Sequence, residues 1–173
     1  MARTDDPDSD RDADTAAVEG DTRGADDGAV SVARTTGRLL LYGGASLVVG
    51  GSALTWLFVD TVEETVAVTG LDAVARVHPA FNGVVTALLA AVLAPLALAD
   101  IRSSLAAAAS VGLLVAGLAG VYLVDPAIAY GGDTGRLAST VTTVGIGVRA
   151  TVAGGLCATA GAVLSTTARS SAG

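Results

Sequence analysis

Leu105–Val124 reads LAAAASVGLLVAGLAGVYLV, twenty residues without a charge. At 1.5 Å per residue a helix of that length is about 30 Å long, the thickness of a bilayer's hydrocarbon core. Ala108, Gly112, Ala116 and Gly120 follow one another at four-residue steps. That spacing puts all four on one helix face, where a neighbouring backbone can come close. The stretch therefore predicts a membrane-crossing helix that is the central packing partner of a bundle.

Three more apolar runs surround it. Leu39–Val59 holds twenty-one uncharged residues. In it Gly43 and Gly50 repeat at seven, as do Gly44 and Gly51, so small residues share one side. Trp56 and Phe58 close this run, where an aromatic belt would sit. Pro79–Ala99 is the second predicted span. Pro79 suits a first helical position, Asn82, Thr86, Ala90 and Ala94 form a small or polar stripe, and Pro95 should kink the helix. The fourth span runs over about 145–166, with Ala150, Gly154, Ala158 and Ala162 as its small face. The expected packing residues are Gly43, Gly50, Gly112, Ala116, Gly120, Gly154 and Ala158.

The connections orient these runs. Asp100–Ser104 is short enough to force the second and third spans into an antiparallel hairpin. Asp60–His78 and Asp125–Val144 are the two loops on the opposite side. In the first, Thr69–Asp72 fits a helix-capping box and Leu71–His78 a short surface helix, while Thr65–Thr69 alternates like a strand. Val59-Asp60 matches Val124-Asp125 and Thr69-Gly70 matches Thr134-Gly135 at an offset of 65, which would make the chain two repeated hairpins.

Charge is placed unevenly. The chain has 173 residues, 51% of them hydrophobic, a net charge of −7 and a mean hydropathy of +0.62. Residues 1–30 carry ten acids and three arginines; residues 31–173 carry seven of each. The acidity thus belongs to the tail, and a basic footprint for nucleic acid is absent. Residues 1–36 are too poor in large apolar side chains to offset their ordering entropy and are expected to be disordered. The domain plan is this tail followed by a four-span membrane domain over 37–169.

All ten basic residues are arginine, aspartate far exceeds glutamate in the tail, and Ala, Gly, Val and Thr dominate elsewhere. This bias resembles that of proteins from halophilic archaea, and the chain is similar to small four-span membrane proteins of such organisms. The resemblance is carried by composition along the whole chain and by no motif. It implies a location and a fold, but no site residue.

Reactive chemistry is sparse. The single histidine, His78, precludes a multi-histidine metal or haem site within the chain, and the single cysteine, Cys157, precludes an internal disulfide or a thiolate zinc site. Neither a phosphate-binding glycine loop nor a dinucleotide fingerprint is present. No acid lies inside a predicted span, which argues against proton coupling. No catalytic residue, metal or cofactor is expected. Arg149 is the one ionisable residue near a span interior, and it forms a candidate ion pair with Asp125 or Asp60 at the same surface.

These readings converge on an all-α fold, a four-helix transmembrane bundle with an acidic tail. Arg34 and Arg38 beside the first span, with Arg102 and Arg169, place both termini in the cytoplasm of a multi-pass cell-membrane protein. The expected partners are the lipid bilayer and other membrane subunits or further copies of the chain, with no nucleic acid. The expected role is non-enzymatic, a structural or accessory subunit of a membrane complex. The alternative is a small-solute transporter or lipid-binding carrier, which a hydrophilic cavity open to one side would favour.

Overall fold

The computed structural model describes residues 9–60, 64–71, 83–99, 102–126 and 141–170. The chain is predominantly helical, with four helices: α1 (Ser9–Ala53), α2 (Gly83–Ala99), α3 (Arg102–Val124) and α4 (Ile146–Ser170). Neighbouring helices pack in the cyclic order α1, α4, α3, α2, and α4 makes the most extensive contacts of the four. Ser103–Val124 and Ile146–Ser170 are long and apolar enough to cross a membrane.

α1 departs from its expected limits at both ends. It starts at Ser9, so residues 9–36 are helical backbone where composition predicts disorder. No proline follows Pro7 before Pro79, so nothing in the covalent chain forbids a helix there. At its other end α1 stops at Ala53 instead of running on to Val59. Leu54 N–H bonds the Gly51 carbonyl at 3.2 Å, and Thr55–Asp60 becomes strand β1. Thr, Trp, Phe and Val fill that segment, all of them residues that fit a pleated surface better than a helix. The uncharged part of α1 is therefore only Leu39–Ala53, about 22 Å of helix at 1.5 Å per residue.

β1 is the centre of a three-stranded antiparallel sheet in the order β2–β1–β3, with β2 at Thr65–Thr69 and β3 at Val141–Val144. The all-α expectation is corrected by this cap. The alternation over Thr65–Thr69 is that of a real strand, and the last residues of the second loop pair with the end of the first predicted span. Leu57 pairs with Val68 on one side and Val144 on the other. A bulge between Thr55 and Leu57 leaves Trp56 out of the ladder. Trp56 and Leu57 are both buried as a result, which strict alternation would not permit.

The offset-65 repeat differs in structure at its first match. Val59-Asp60 ends a strand, whereas Val124 ends α3 and Asp125 follows it. Thr134-Gly135, the surface helix after Leu71, His78 and Asn82 lie outside the described residues.

The core is stacked in three layers along the bundle. At the sheet end, Trp56, Leu57, Ala119, Tyr122 and Val148 pack together. Val48, Ala90 and Val115 fill the middle. Leu41, Leu93, Leu105, Ala108, Ala158 and Ala162 draw all four helices together at the far end. That end also carries Arg34 and Arg38 of α1, the start of α3 at Arg102, and Arg169 in the last turn of α4.

Trp56 locks the cap onto the bundle. It is 2% exposed, its indole Nε1 donates to the Gly51 carbonyl at 3.0 Å, and its ring meets Tyr122 edge-on with centroids 5.4 Å apart. The expectation of an interfacial belt residue is corrected. The bulge turns the ring inward, and a buried indole needs the acceptor that Gly51 supplies.

Candidate functional site

No cluster of reactive side chains among the described residues organises the fold. Among the described residues no group of three His, Cys, Asp or Glu side chains is placed to hold a metal. The candidate site is the seam along which α4 packs against α1 and α3, where contact is made backbone to backbone.

On α1 the buried seam is Gly37, Leu41, Gly44, Val48 and Gly51, alternating steps of four and three. On α4 it is Gly147, Thr151, Gly154, Ala158, Gly161 and Ser165, on the same rhythm. This is the spacing of a coiled-coil seam, with glycine at one of its two positions. A Cβ built on Gly44 would stand 2.5 Å from Ala158 N and Gly154 O; one on Gly51 would stand 2.7 Å from Thr151 Oγ1. One on Gly161 would meet Gly37 O and Leu41 N, both at 2.5 Å. Each step up α1 matches a step down α4, so the helices run antiparallel.

The second flank of α4 treats α3 in the same way. A Cβ on Gly112 would stand 2.7 Å from Thr159 Oγ1 and 2.9 Å from Gly155 O; one on Gly155 would stand 2.7 Å from Gly112 O. Hydroxyls inside these contacts satisfy themselves on the glycine carbonyls. Thr151 Oγ1 donates to Gly147 O at 2.9 Å and Ser165 Oγ to Gly161 O at 2.8 Å. Thr159 Oγ1 shares its proton between Gly155 O at 2.9 Å and Ala109 O of α3 at 3.3 Å. Each of these three hydroxyls therefore keeps an acceptor inside the helix contact.

A looser contact joins α1 to α2. Ser52 Oγ and Thr86 Oγ1 lie 3.1 Å apart, both buried. Each also has a carbonyl within 2.9 Å, Val48 O for Ser52 and Gly83 O for Thr86. Two protons serve three contacts, so one of the three is always unmade.

The sequence-derived packing residues divide. Gly112, Ala116, Gly154 and Ala158 lie in the seams. Gly43, Gly50 and Gly120 do not: a Cβ on any of them meets nothing within 4 Å. Two causes account for this. Gly43 and Gly50 are one residue, about 100° of helix, away from the face that packs. A strict four-residue step drifts by about 40° each time, so the face holding Ala108 has turned well away by Gly120. The buried face of α3 instead runs through Ala108, Gly112, Val115, Ala119 and Tyr122. On α2, Thr86 and Ala90 are buried and Ala94 is exposed.

Arg149 lies exposed in the first turn of α4, at the sheet end, where β1 also ends with Asp60. Arg149 and Asp125 are both exposed, no ion pair joins them among the described residues, and the side chain of Asp60, the other expected partner, lies outside those residues. An exposed arginine at a helix end keeps its hydration, which a weak surface pair does not outweigh. Arg149→Asp should therefore change stability by less than about 1 kcal/mol, and adding Asp125→Arg should bring no recovery. Thermal unfolding of the two single variants and the double variant measures that coupling.

Cys157 is half-buried and lines a groove of about 280 Å³ with Leu39, Leu40, Gly43 and Leu47 on the opposite flank of α1. The glycine triplets of α1 and α4, each at seven-residue steps, are the signal that would have found the seam. No protein-family model, no curated protein and no solved structure matches the chain.

Proposed function

We propose that this chain is a four-span membrane protein without catalytic activity, a structural or accessory subunit of a membrane complex with both termini in the cytoplasm. The observation that carries the reading is the inversion of side-chain size across the bundle. Gly, Ala, Ser and Thr make up the α4 face of the seam, while Leu88, Leu98, Leu113, Leu114, Leu156 and Val163 face outward. A bundle driven together by water would bury those leucines. In hydrocarbon, large apolar side chains gain nothing by turning inward, and close backbone packing becomes the main attraction. The uncharged part of α1 and the whole of α2 are shorter than α3 and α4, and the sheet would sit at the outer surface above them, with Arg34, Arg38 and Arg169 on the inner side.

The alternative reading, a solute transporter or lipid-binding carrier, draws on the grooves between helices. Those lined by described residues are open and apolar, on the flanks of α1, α2 and α3. They favour lipid contact over passage of a polar solute.

Two measurements test the proposal. Single cysteines at Ser9 and Thr65, on a Cys157→Ala background, should react with an impermeant reagent in intact cells at Thr65 only; reaction at Ser9 alone overturns the orientation. The tagged chain, extracted from its native membrane in mild detergent, should migrate with a stoichiometric membrane partner. Migration at its own mass, with no partner, overturns the accessory role.

A further inference from the structure

α2 is the least secured of the four helices. α4 closes on α1 and α3 through glycines, backbone against backbone, whereas the contacts of α2 with α1 and α3 are much thinner. The single glycine of α2 is its first residue. Gly83 N–H donates to Gly70 O at 3.1 Å, and a Cβ on Gly83 would stand 2.7 Å from Gly70 Cα. Beyond it, Thr86, Ala90 and Leu93 are the buried side chains among those described, while Leu88, Val92 and Leu98 face outward. Pro95 has no N–H to give the Ala91 carbonyl, so the helix's own ladder lacks a rung there. An open groove of about 370 Å³ runs between Ala90, Ala91 and Ala94 of α2 and the facing Tyr42, Ala45 and Val49 of α1.

The hydroxyl link across this contact can part without loss. Ser52 Oγ and Thr86 Oγ1 lie 3.1 Å apart, and each has an acceptor on its own helix, Val48 O and Gly83 O, both at 2.9 Å. When the helices separate, the two protons stay on those two carbonyls and neither hydroxyl is orphaned. We propose that α2 is a lateral gate. α1, α4 and α3 stay closed as one unit while α2 swings away from α1, held by Gly70 at one end and by the short connection from Ala99 to Arg102 at the other. Contact density this uneven lets one segment open without global unfolding. Opening sets apolar faces of α1 and α2 against lipid chains instead of water, and in that respect the inference rests on the membrane reading above.

The test uses the full chain in detergent, on a Cys157→Ala background, with N-ethylmaleimide as the probe. Thr86→Cys on α2 and Thr151→Cys on α4 both replace threonines that are 0% exposed. The first lies against Ser52 of α1 and the second against Gly51, so both report from the same level of the bundle. Neither should react without an opening, and global unfolding exposes both alike. The gate predicts labelling of Thr86→Cys about tenfold faster than of Thr151→Cys, with the two variants equally helical by circular dichroism. Leu93→Cys on α2 and Val148→Cys on α4, also at positions 0% exposed, form a second pair with the same expectation. That pair decides should a threonine variant not fold. Equal rates within a folded pair overturn the gate, as does faster labelling on α4. Alkaline carbonate extraction separates this from the underlying reading: a chain that leaves the membrane pellet overturns both, and one that stays with equal rates overturns the gate alone.

Discussion

Gly44→Leu should prevent α1 from closing on α4, whereas Gly43→Leu, one residue earlier, should fold like the parent. The first substitution drives a side chain into Ala158 N and Gly154 O, where even a Cβ would stand at 2.5 Å. These are backbone atoms and cannot swing aside, so the helices must separate along the seam. Overpacking a yielding core costs about 1–3 kcal/mol, and a rigid contact of this kind should reach the top of that range or pass it. At Gly43 a Cβ meets nothing within 4 Å, and a leucine there adds apolar surface to an exposed face. Thermal unfolding in detergent should show a large fall for Gly44→Leu and little change for Gly43→Leu. Gly154→Leu should match Gly44→Leu, and the pair together should cost less than the sum, because both break one contact. If the two neighbouring variants unfold alike, α1 does not pack through Gly44.

That contrast also marks where sequence reading stops. Runs without charge locate apolar helices because burial of charge in hydrocarbon is costly, and that signal is strong over α3 and α4. The same signal cannot place the end of α1. Leu54–Val59 is as free of charge as Leu39–Ala53 before it, and only its β-branched and aromatic content marks the change to a strand. Small-residue spacing tells that a face exists, but Gly43/Gly50 and Gly44/Gly51 are equally good matches to a seven-residue step. The choice between them depends on the facing helix. Gly37 extends only the second set, and Gly147, Gly154 and Gly161 supply its counterpart. Four-residue steps on α3 mislead for a related reason. They follow a line that winds around the helix, and the buried face follows 3.5 residues on average, as coiled-coil seams do. Arg149 illustrates a different gap. Placing it at the sheet end needed only the span boundaries, but pairing it with Asp125 required side-chain positions that depend on how the loops meet.

Trp56→Ala should be the most damaging change at the sheet end, by about 3–5 kcal/mol. The indole is the largest side chain in a cluster that joins β1 to α3 and α4 through Leu57, Ala119, Tyr122 and Val148. Removing it leaves a cavity under the sheet and deprives the Gly51 carbonyl of the Nε1 donor. Trp56→Phe keeps a ring against Tyr122 and loses that hydrogen bond, so it should cost substantially less. Because Trp56 is the chain's single tryptophan, the parent protein reports on the same point without mutation. A buried indole should emit at short wavelength and resist acrylamide and headgroup-depth quenchers. An interfacial belt tryptophan at the end of a longer first span would be quenched by both. Strong quenching in the folded protein would return Trp56 to the membrane surface and remove the bulge at Thr55–Leu57 as the device that turns it inward. Protection that disappears only with thermal unfolding would tie sheet and bundle into one cooperative unit, with Gly51 serving both: its missing side chain admits α4, and its carbonyl holds the indole.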